Sequence, residues 1–152
     1  MIILTNKKAY FEYQILEKYT CGIRLLGYET KALREGKGRL EGSYINKIDS
    51  KLQVINFYIG RYSKISQKIE DNELSRSREL LLNKKEISKI LTEISQKGKS
   101  CVPLNLRMEH GLFKLEIAVV KGKKEYEKKV VTKERQLKRE LERDKKQAGT
   151  WA

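Results

Sequence analysis

The stretch SCVPLNLRMEHGLFKLEIAVV (residues 100–120) decides the fold class of this 152-residue chain. From Phe113 to Val119 every second residue is apolar, which is the period-two pattern of a strand with one buried face. A Glu109–His110–Gly111 turn joins this strand to an apolar strand over residues 100–108. The stretch therefore predicts an antiparallel β-hairpin.

A helix is predicted directly before this hairpin, from Asn83 to Gln96. Asn83 can cap the first turn, and Glu86 three residues later completes a capping-box pattern. The apolar residues follow the i, i+3, i+4, i+7 spacing of one helix face, namely Ile87, Ile90, Leu91 and Ile94. Lys97 and Gly98 end the helix.

Upstream, AYFEYQILEKY (residues 9–19) alternates polar and apolar residues and predicts a half-buried strand. Thr20, Cys21 and Gly22 permit a tight turn, after which residues 23–26 are predicted to return as a second strand. Residues 30–34 predict a short helix with Ala32 and Leu33 directed inward.

Two further strands are predicted over residues 43–49 and 52–59, joined as a hairpin. Residues 61–79 are polar and weakly periodic, which predicts a long loop. Six short antiparallel strands exceed a simple hairpin sheet, and closing them into a barrel removes exposed edges. We therefore predict a mainly β fold: a six-stranded antiparallel barrel of the oligonucleotide/oligosaccharide-binding (OB) type, with two packed helices, over residues 1–121.

Residues 122–152 are predicted to form a basic tail outside the barrel. Three i,i+4 pairs of opposite charge between Glu134 and Lys146 would each stabilise a helix by about 0.2–0.5 kcal/mol. Leu137 and Leu141 alone make too thin an apolar stripe to dock that helix on the barrel. We expect the tail to be disordered when free and to become helical against a polyanion.

The charge of the chain also favours a polyanionic partner. The formal net charge is +14, to which residues 121–152 contribute twelve basic and six acidic side chains. The barrel and the tail are therefore both basic, which is typical of nucleic-acid-binding proteins. The alternative is that the charge only maintains solubility.

Two basic segments are candidate RNA contacts. GYETKALREGKGR (residues 27–39) combines four basic residues with three glycines and Tyr28, so phosphate contact, close backbone approach and base stacking are all available. A solvated helix-and-turn surface is the alternative for this segment. The three lysines of the loop over residues 121–124, which Tyr126 follows, can bind a phosphate backbone.

Enzyme chemistry and metal binding have little support. The sequence has no nucleophile, zinc-protease or P-loop motif. Glu29 and Glu35 are interleaved with basic residues, as in a salt-bridged surface. His110, the only histidine, lies in a predicted turn with no second ligand nearby.

Cys21 and Cys101 lack CxxC spacing and are interpreted as buried reduced thiols, with a disulfide between them as the alternative. No apolar run approaches the roughly 18–20 residues that span a bilayer. The start, MIILTNKKAY, lacks the apolar stretch of a signal peptide, so we expect a cytoplasmic protein.

Five stretches of the chain resemble a known family, in its order and with nearly its spacing. They are NKKAYFEYQI (6–15), GYETKALREGKGRLEGSYI (27–45), RELLLNKKEI (78–87), VPLNL (102–106) and GKKEYEKKVVTKERQLKRE (122–140). The chain is similar here to the SsrA-binding proteins, small protein B, of bacterial trans-translation.

The resemblance implies an OB-type barrel with a basic tail that binds the tRNA-like domain of transfer-messenger RNA and delivers it to stalled 70S ribosomes. In the family, the barrel replaces the missing anticodon arm. The tail enters the empty messenger channel and folds as a helix against small-subunit RNA at the decoding centre. No cofactor, metal ion, enzymatic step, DNA partner or membrane partner is implied.

The resemblance also implies which residues bind RNA. Transfer-messenger RNA is expected to contact Gly22, Glu29, Lys31, Arg34, Leu81, Lys114, Lys121, Gly122, Lys123, Lys124 and Tyr126. The decoding site is expected to contact the tail at Lys128, Lys129, Lys133, Arg135, Lys138 and Arg139. Leu81 would be a core residue from its LLL context alone, so its effect can be indirect. Thr20 stands where the family usually has Glu, which removes one expected contact on the RNA side.

Two other functions remain open at this point. A basic ribosomal or initiation-factor-like barrel would bind ribosomal RNA, and the RNA that co-purifies would identify it. A nuclease or RNA-modifying enzyme would need a carboxylate cluster or a metal site, and RNA turnover by the purified protein would reveal it.

Overall fold

The structure is a computed structural model and describes residues 1–65 and 68–122. In chain order, its elements are β1 (Ile2–Thr5), α1 (Lys7–Glu12), β2 (Tyr13–Ile23), α2 (Gly27–Arg34), β3 (Gly38–Arg39), β4 (Tyr44–Ile48), β5 (Lys51–Ile55), β6 (Tyr58–Ile59), a 3₁₀ helix (Asp71–Ser75), β7 (Arg78–Leu81), α3 (Lys84–Ile94), β8 (Lys99–Glu109) and β9 (Leu112–Gly122).

Seven of these strands form one antiparallel sheet in the order β1-β8-β9-β2-β7-β5-β4, and β3 pairs with β6. β4, at one end of the sheet, also packs against β8 near the other end, so the sheet curls back on itself. The predicted mainly β class with packed helices is confirmed. The predicted strand number is wrong, because the described residues form nine strands rather than six.

Both predicted hairpins, β4–β5 and β8–β9, are confirmed, and each has a two-residue turn. Asp49 and Ser50 have φ angles of 50° and 64°, and His110 and Gly111 have φ angles of 50° and 76°. Two successive positive φ angles are typical of the type I′ turn, whose twist matches that of the flanking strands. The second turn aligns β8 and β9 over almost their whole length.

The N-terminal prediction is wrong in two places. Residues 9–12 lie in α1 rather than in a strand, because the Asn6 side chain accepts a hydrogen bond from the Ala9 N–H (3.2 Å) and caps the helix. Thr20 to Gly22 is strand rather than turn, with Cys21 paired opposite Leu115. The predicted separate strand over residues 23–26 is therefore the end of β2 followed by irregular chain.

Three other boundaries also differ from the prediction. The predicted strand over residues 52–59 is interrupted at Asn56, whose φ of 62° separates β5 from β6. The predicted loop over residues 61–79 contains the 3₁₀ helix and the start of β7. β1 and β3 were not predicted, since the four residues of β1 do not alternate and β3 has only two residues.

Both predicted helices are confirmed. Asn83 caps α3 by accepting from the Glu86 N–H at 2.8 Å. α2 begins three residues before the predicted start, and Ala32 and Leu33 are fully buried, as predicted. Cys21 and Cys101 are free and buried, which confirms the interpretation as thiols, and burial raises the pKa of Cys21 to about 12.

The two faces of the sheet are covered differently. The inner face carries the main core, to which α2 and α3 add their apolar residues. On the outer face, α1 covers one end of β2, β8 and β9 through a smaller cluster around Ala9, Val102 and Ala118. The other end of these strands carries polar and charged residues instead, and the candidate site lies there.

Candidate nucleic-acid interface

Four neighbouring strands place one residue each in a row across the uncovered end of the sheet. Gly22 on β2 pairs with Leu81 on β7 and with Lys114 on β9, and Lys114 pairs with Arg107 on β8. Directly opposed residues of adjacent strands point to the same face of a sheet. The register therefore brings together three predicted RNA-binding residues and adds Arg107, which the sequence did not indicate.

The C-terminal turn of α2 adds Arg34 to this row and closes a groove of about 320 Å³. This Gly22 groove is lined by Gly22, Ile23, Leu25, Thr30, Arg34, Leu81, Gly111, Leu112, Phe113 and Lys114. Within the described ranges, no hydrogen bond or ion pair engages the side chains of Arg34 and Lys114. Both cations are therefore available to a ligand in the groove.

Leu81 forms an apolar wall of the groove rather than part of the core, and the residue is 46% exposed. A Cβ atom added at Gly22 would lie 3.3 Å from the Leu81 Cβ and 3.4 Å from its Cδ1. Glycine at position 22 thus leaves the space that Leu81 occupies. An interpretation of Leu81 as core would have been wrong, and its direct exposure supports a contact role.

Glu29 does not face the surface, so the expectation that it lies at the RNA-facing side needs correction. The residue is 1% exposed, and its carboxylate accepts hydrogen bonds from the Leu26 N–H (2.8 Å) and the Arg78 Nε (2.7 Å) and from Arg76. Burial acts to raise the pKa of Glu29, but the bonds from Arg76, Leu26 and Arg78 outweigh it, and the pKa lies below its usual range. Glu29 is thus an internal counter-ion that also closes the first turn of α2.

The two arginines around Glu29 were missed by the sequence interpretation, which assigned them to a loop. The Arg78 side chain is 0% exposed and also donates to the carbonyl oxygens of Phe57, Arg76 and Leu74. Arg78, on β7, thereby joins the residue before β6 and the 3₁₀ helix to Glu29 on α2. The spacing of Arg78 from Leu80 could have revealed this contact. Alternate residues of a strand share a face, so Arg78 points inward with Leu80, and a buried arginine needs a buried acid.

Three basic residues of α2 and of the segment after it contact either an aromatic ring or an acid. The Lys31 ammonium lies 5.4 Å from the centre of the Tyr62 ring, and the Arg39 guanidinium lies 4.9 Å from that of Tyr58. Lys37 pairs with Glu35 at 3.4 Å. Lys31 is therefore an exposed cation beside an aromatic ring, a combination suited to RNA.

A carboxylate lies directly across the sheet from Thr20. Glu116 on β9 is the register partner of Thr20 and accepts hydrogen bonds from Arg107 (2.9 Å) and Asn105 (3.3 Å). The Lys18 Nζ lies 3.8 Å from the Glu116 Oε1. A carboxylate thus lies beside Thr20 on the neighbouring strand, where it orients Arg107 beside Lys114.

The remaining predicted contacts lie at or beyond the end of β9. Lys121 and Gly122 are exposed and end the strand. The other predicted residues lie outside the described ones, namely Lys123, Lys124, Tyr126, Lys128, Lys129, Lys133, Arg135, Lys138 and Arg139. Over residues 1–65 and 68–122, no cluster of three or more His, Cys, Asp or Glu residues is arranged to hold a metal ion. No helix of the same part of the chain is long and apolar enough to cross a membrane.

Comparison with known proteins gives a consistent result. A model of the SmpB protein family matches residues 3–147. The SsrA-binding protein of Sulfurihydrogenibium sp. (strain YO3AOP1) is 43% identical over 142 residues, which cover 93% of this chain and 92% of that protein. The SsrA-binding protein of Persephonella marina (strain DSM 14350 / EX-H1) is 40% identical over 140 residues, covering 92% and 91%. A solved chain from "tmRNA-SmpB: a journey to the center of the bacterial ribosome" is 39% identical with a TM-score of 0.66, covering 80% of this chain and 85% of the solved one.

Proposed function

Because the chain belongs to the SmpB protein family, we propose that it binds SsrA RNA, the transfer-messenger RNA, and brings it to stalled bacterial ribosomes for trans-translation. The observation that carries this proposal is the family match over almost the whole chain. A role on ribosomes places the protein in the cytoplasm.

The Gly22 groove is the proposed contact surface for the tRNA-like domain. Arg34 and Lys114 have no internal partners in the described residues and can pair with phosphates. The exposed side chains of Leu81 and Leu112 can pack against a ribose or a base between these charges. Lys31 extends the basic surface along α2, and the loop over residues 121–124 extends it beyond β9.

The tail has a separate proposed role in the messenger channel and at the decoding centre of the small subunit. Its support is compositional: six basic residues distributed over residues 128–139 can face RNA phosphates once the segment becomes helical. Truncation after Lys121 should preserve most of the affinity for transfer-messenger RNA and abolish peptide tagging, because barrel and tail bind different RNAs. Loss of RNA affinity in the truncated protein would contradict this division.

The protein is proposed to act without a chemical step of its own, by supplying shape and positive charge. Incubation of the purified protein with its RNA should leave the RNA intact in length and base composition. Turnover of the RNA would revive the alternative of a nuclease or modifying enzyme.

The direct test is to isolate the protein from its host and to sequence the RNA bound to it. Strong enrichment of one RNA with a tRNA-like acceptor end and a short internal reading frame is the expected result. Recovery of ribosomal RNA alone would favour a ribosomal or initiation-factor-like protein of the same fold.

A further inference from the structure

A second and wider cleft borders the Gly22 groove and shares Ile23 and Leu25 with it. Its volume is about 720 Å³. We call it the Glu79 cleft, after the acid in its wall. Its polar lining comes from β2, β5 and β7 and the residues beside them, namely Arg24, Lys51, Gln53, Arg76, Ser77 and Glu79.

The cations of this cleft outnumber its acids. Glu79 is shared by two of them, because its carboxylate lies 3.8 Å from the Arg24 Nε and 3.4 Å from the Lys51 Nζ. Beneath the cleft, Glu29 is shared in the same way by Arg76 and Arg78. Four cations are thus matched with two carboxylates, and the local charge is +2. Glu116 is likewise shared, by Arg107 and Lys18, whereas Lys89–Glu17 and Lys99–Glu93 are matched one to one.

Arg76 is held in place while part of its hydrogen-bonding capacity is unused. One terminal nitrogen bonds the buried Glu29, and the other makes only a long contact of 3.4 Å to the Ser77 carbonyl. The Nε is buried and has no hydrogen-bond partner in the described part of the chain. Arg76 lines the cleft with 32% of its side chain exposed, so its guanidinium is anchored by Glu29 while the weakly engaged terminal nitrogen can donate to a phosphate oxygen.

We propose that the Glu79 cleft binds a phosphate group of the RNA backbone and extends the RNA interface beyond the Gly22 groove. Arg76 is the preorganised contact, and Arg24 and Lys51, at 68% and 60% side-chain exposure, are the adaptable ones. A phosphodiester placed there would offset half of the local excess charge. This inference rests on the proposed binding of transfer-messenger RNA.

The test compares two full-length variants that lose the same charge. Arg24→Gln/Lys51→Gln removes two cations of the cleft, and Lys47→Gln/Lys84→Gln removes two exposed cations of β4 and α3 that do not line it. Binding to a transcript of the tRNA-like domain is measured at several salt concentrations. The slope of log affinity against log salt should fall by about 0.7–0.9 per lost contact in the first variant. At about 0.1 M salt, its affinity should be roughly 10-fold lower than that of the second variant.

Arg76→Lys tests the guanidinium at unchanged net charge. Its affinity for the transcript should fall, and circular dichroism of the RNA-free variant should show that the protein is still folded at the temperature of the binding assay. Equal slopes and affinities for the two charge-matched variants would overturn the proposed phosphate contact. Failure of the parent chain to prefer this transcript over an unrelated RNA of equal length would instead overturn the proposed function itself.

Discussion

Replacing Glu29 by Gln should strongly destabilise the barrel, although the two side chains have nearly the same shape. The Arg78 side chain is 0% exposed, and Glu29 is the acid paired with it. The variant keeps the backbone acceptors of Arg78 but removes its counter charge. The new amide group also directs its NH₂ at groups that are themselves donors, either an arginine or the Leu26 N–H.

The expected loss follows from leaving a buried cation unpaired, which costs roughly 3–5 kcal/mol. Typical domains have an unfolding free energy of about 5–15 kcal/mol, so this loss is a large share of the total. With a urea m-value of about 2 kcal/mol/M, the unfolding midpoint should fall by roughly 2 M.

The matched control is Glu35→Gln, one residue beyond α2. Glu35 accepts hydrogen bonds from Ser63 and pairs with Lys37 on an exposed surface, so water can replace these contacts. Urea unfolding of both variants, followed by far-ultraviolet circular dichroism, is the assay. Equal midpoints for Glu29→Gln and Glu35→Gln would refute the reasoning that Arg78 depends on a buried counter-ion.

The pH dependence gives an independent readout of the same contact. The pKa of Glu29 is lowered in the folded state, so its stabilising contribution is present above the unfolded value of about 4.3 and is lost as the pH falls through the folded value. The parent protein should therefore lose stability on acidification below about pH 4 more steeply than Glu29→Gln. Parallel stability curves for the two proteins would contradict this assignment.

Three other outcomes are expected. Gly22→Val should lower RNA affinity because the valine side chain displaces Leu81. In a double-mutant cycle, Gly22→Val and Leu81→Ala should show a coupling energy of about 0.5–3 kcal/mol. Additive effects of the two substitutions on RNA affinity would disprove contact between these residues. Cys21 and Cys101 should resist a thiol reagent in the native protein and react quickly in urea, since burial raises both pKa values; fast native labelling would contradict their burial. Lys123→Ala/Lys124→Ala should lower the salt slope of RNA binding by roughly one unit per lost phosphate contact, and an unchanged slope would exclude this loop from the interface.

Local features of the chain were predictable from sequence. The β8–β9 hairpin follows from alternation on both sides of a turn, and α3 follows from a cap and one apolar face, because these signals lie within a few residues of each other. Asn6 has the opposite effect: its side chain caps a helix that runs into a stretch whose alternation is typical of a strand.

The candidate site was less predictable because it depends on contacts distant in sequence. Glu29 meets Arg76 and Arg78 across 47 and 49 residues, so its burial cannot be inferred from its own neighbourhood. The row of Leu81, Gly22 and Lys114 depends on the registers of three strands. The family resemblance predicts these residues as RNA contacts, and the register adds that they lie side by side on one face of the sheet.

β9 is paired with a strand on each of its edges, so its extended length is fixed. Lys114 stands in the Gly22 groove and Gly122 ends the strand eight residues later, with β2 paired to both positions. At about 3.3 Å per residue, the chain leaves the sheet roughly 26 Å from the groove residue. The groove and the point at which the chain leaves the sheet are thus held apart by a distance that the number of residues in one strand sets.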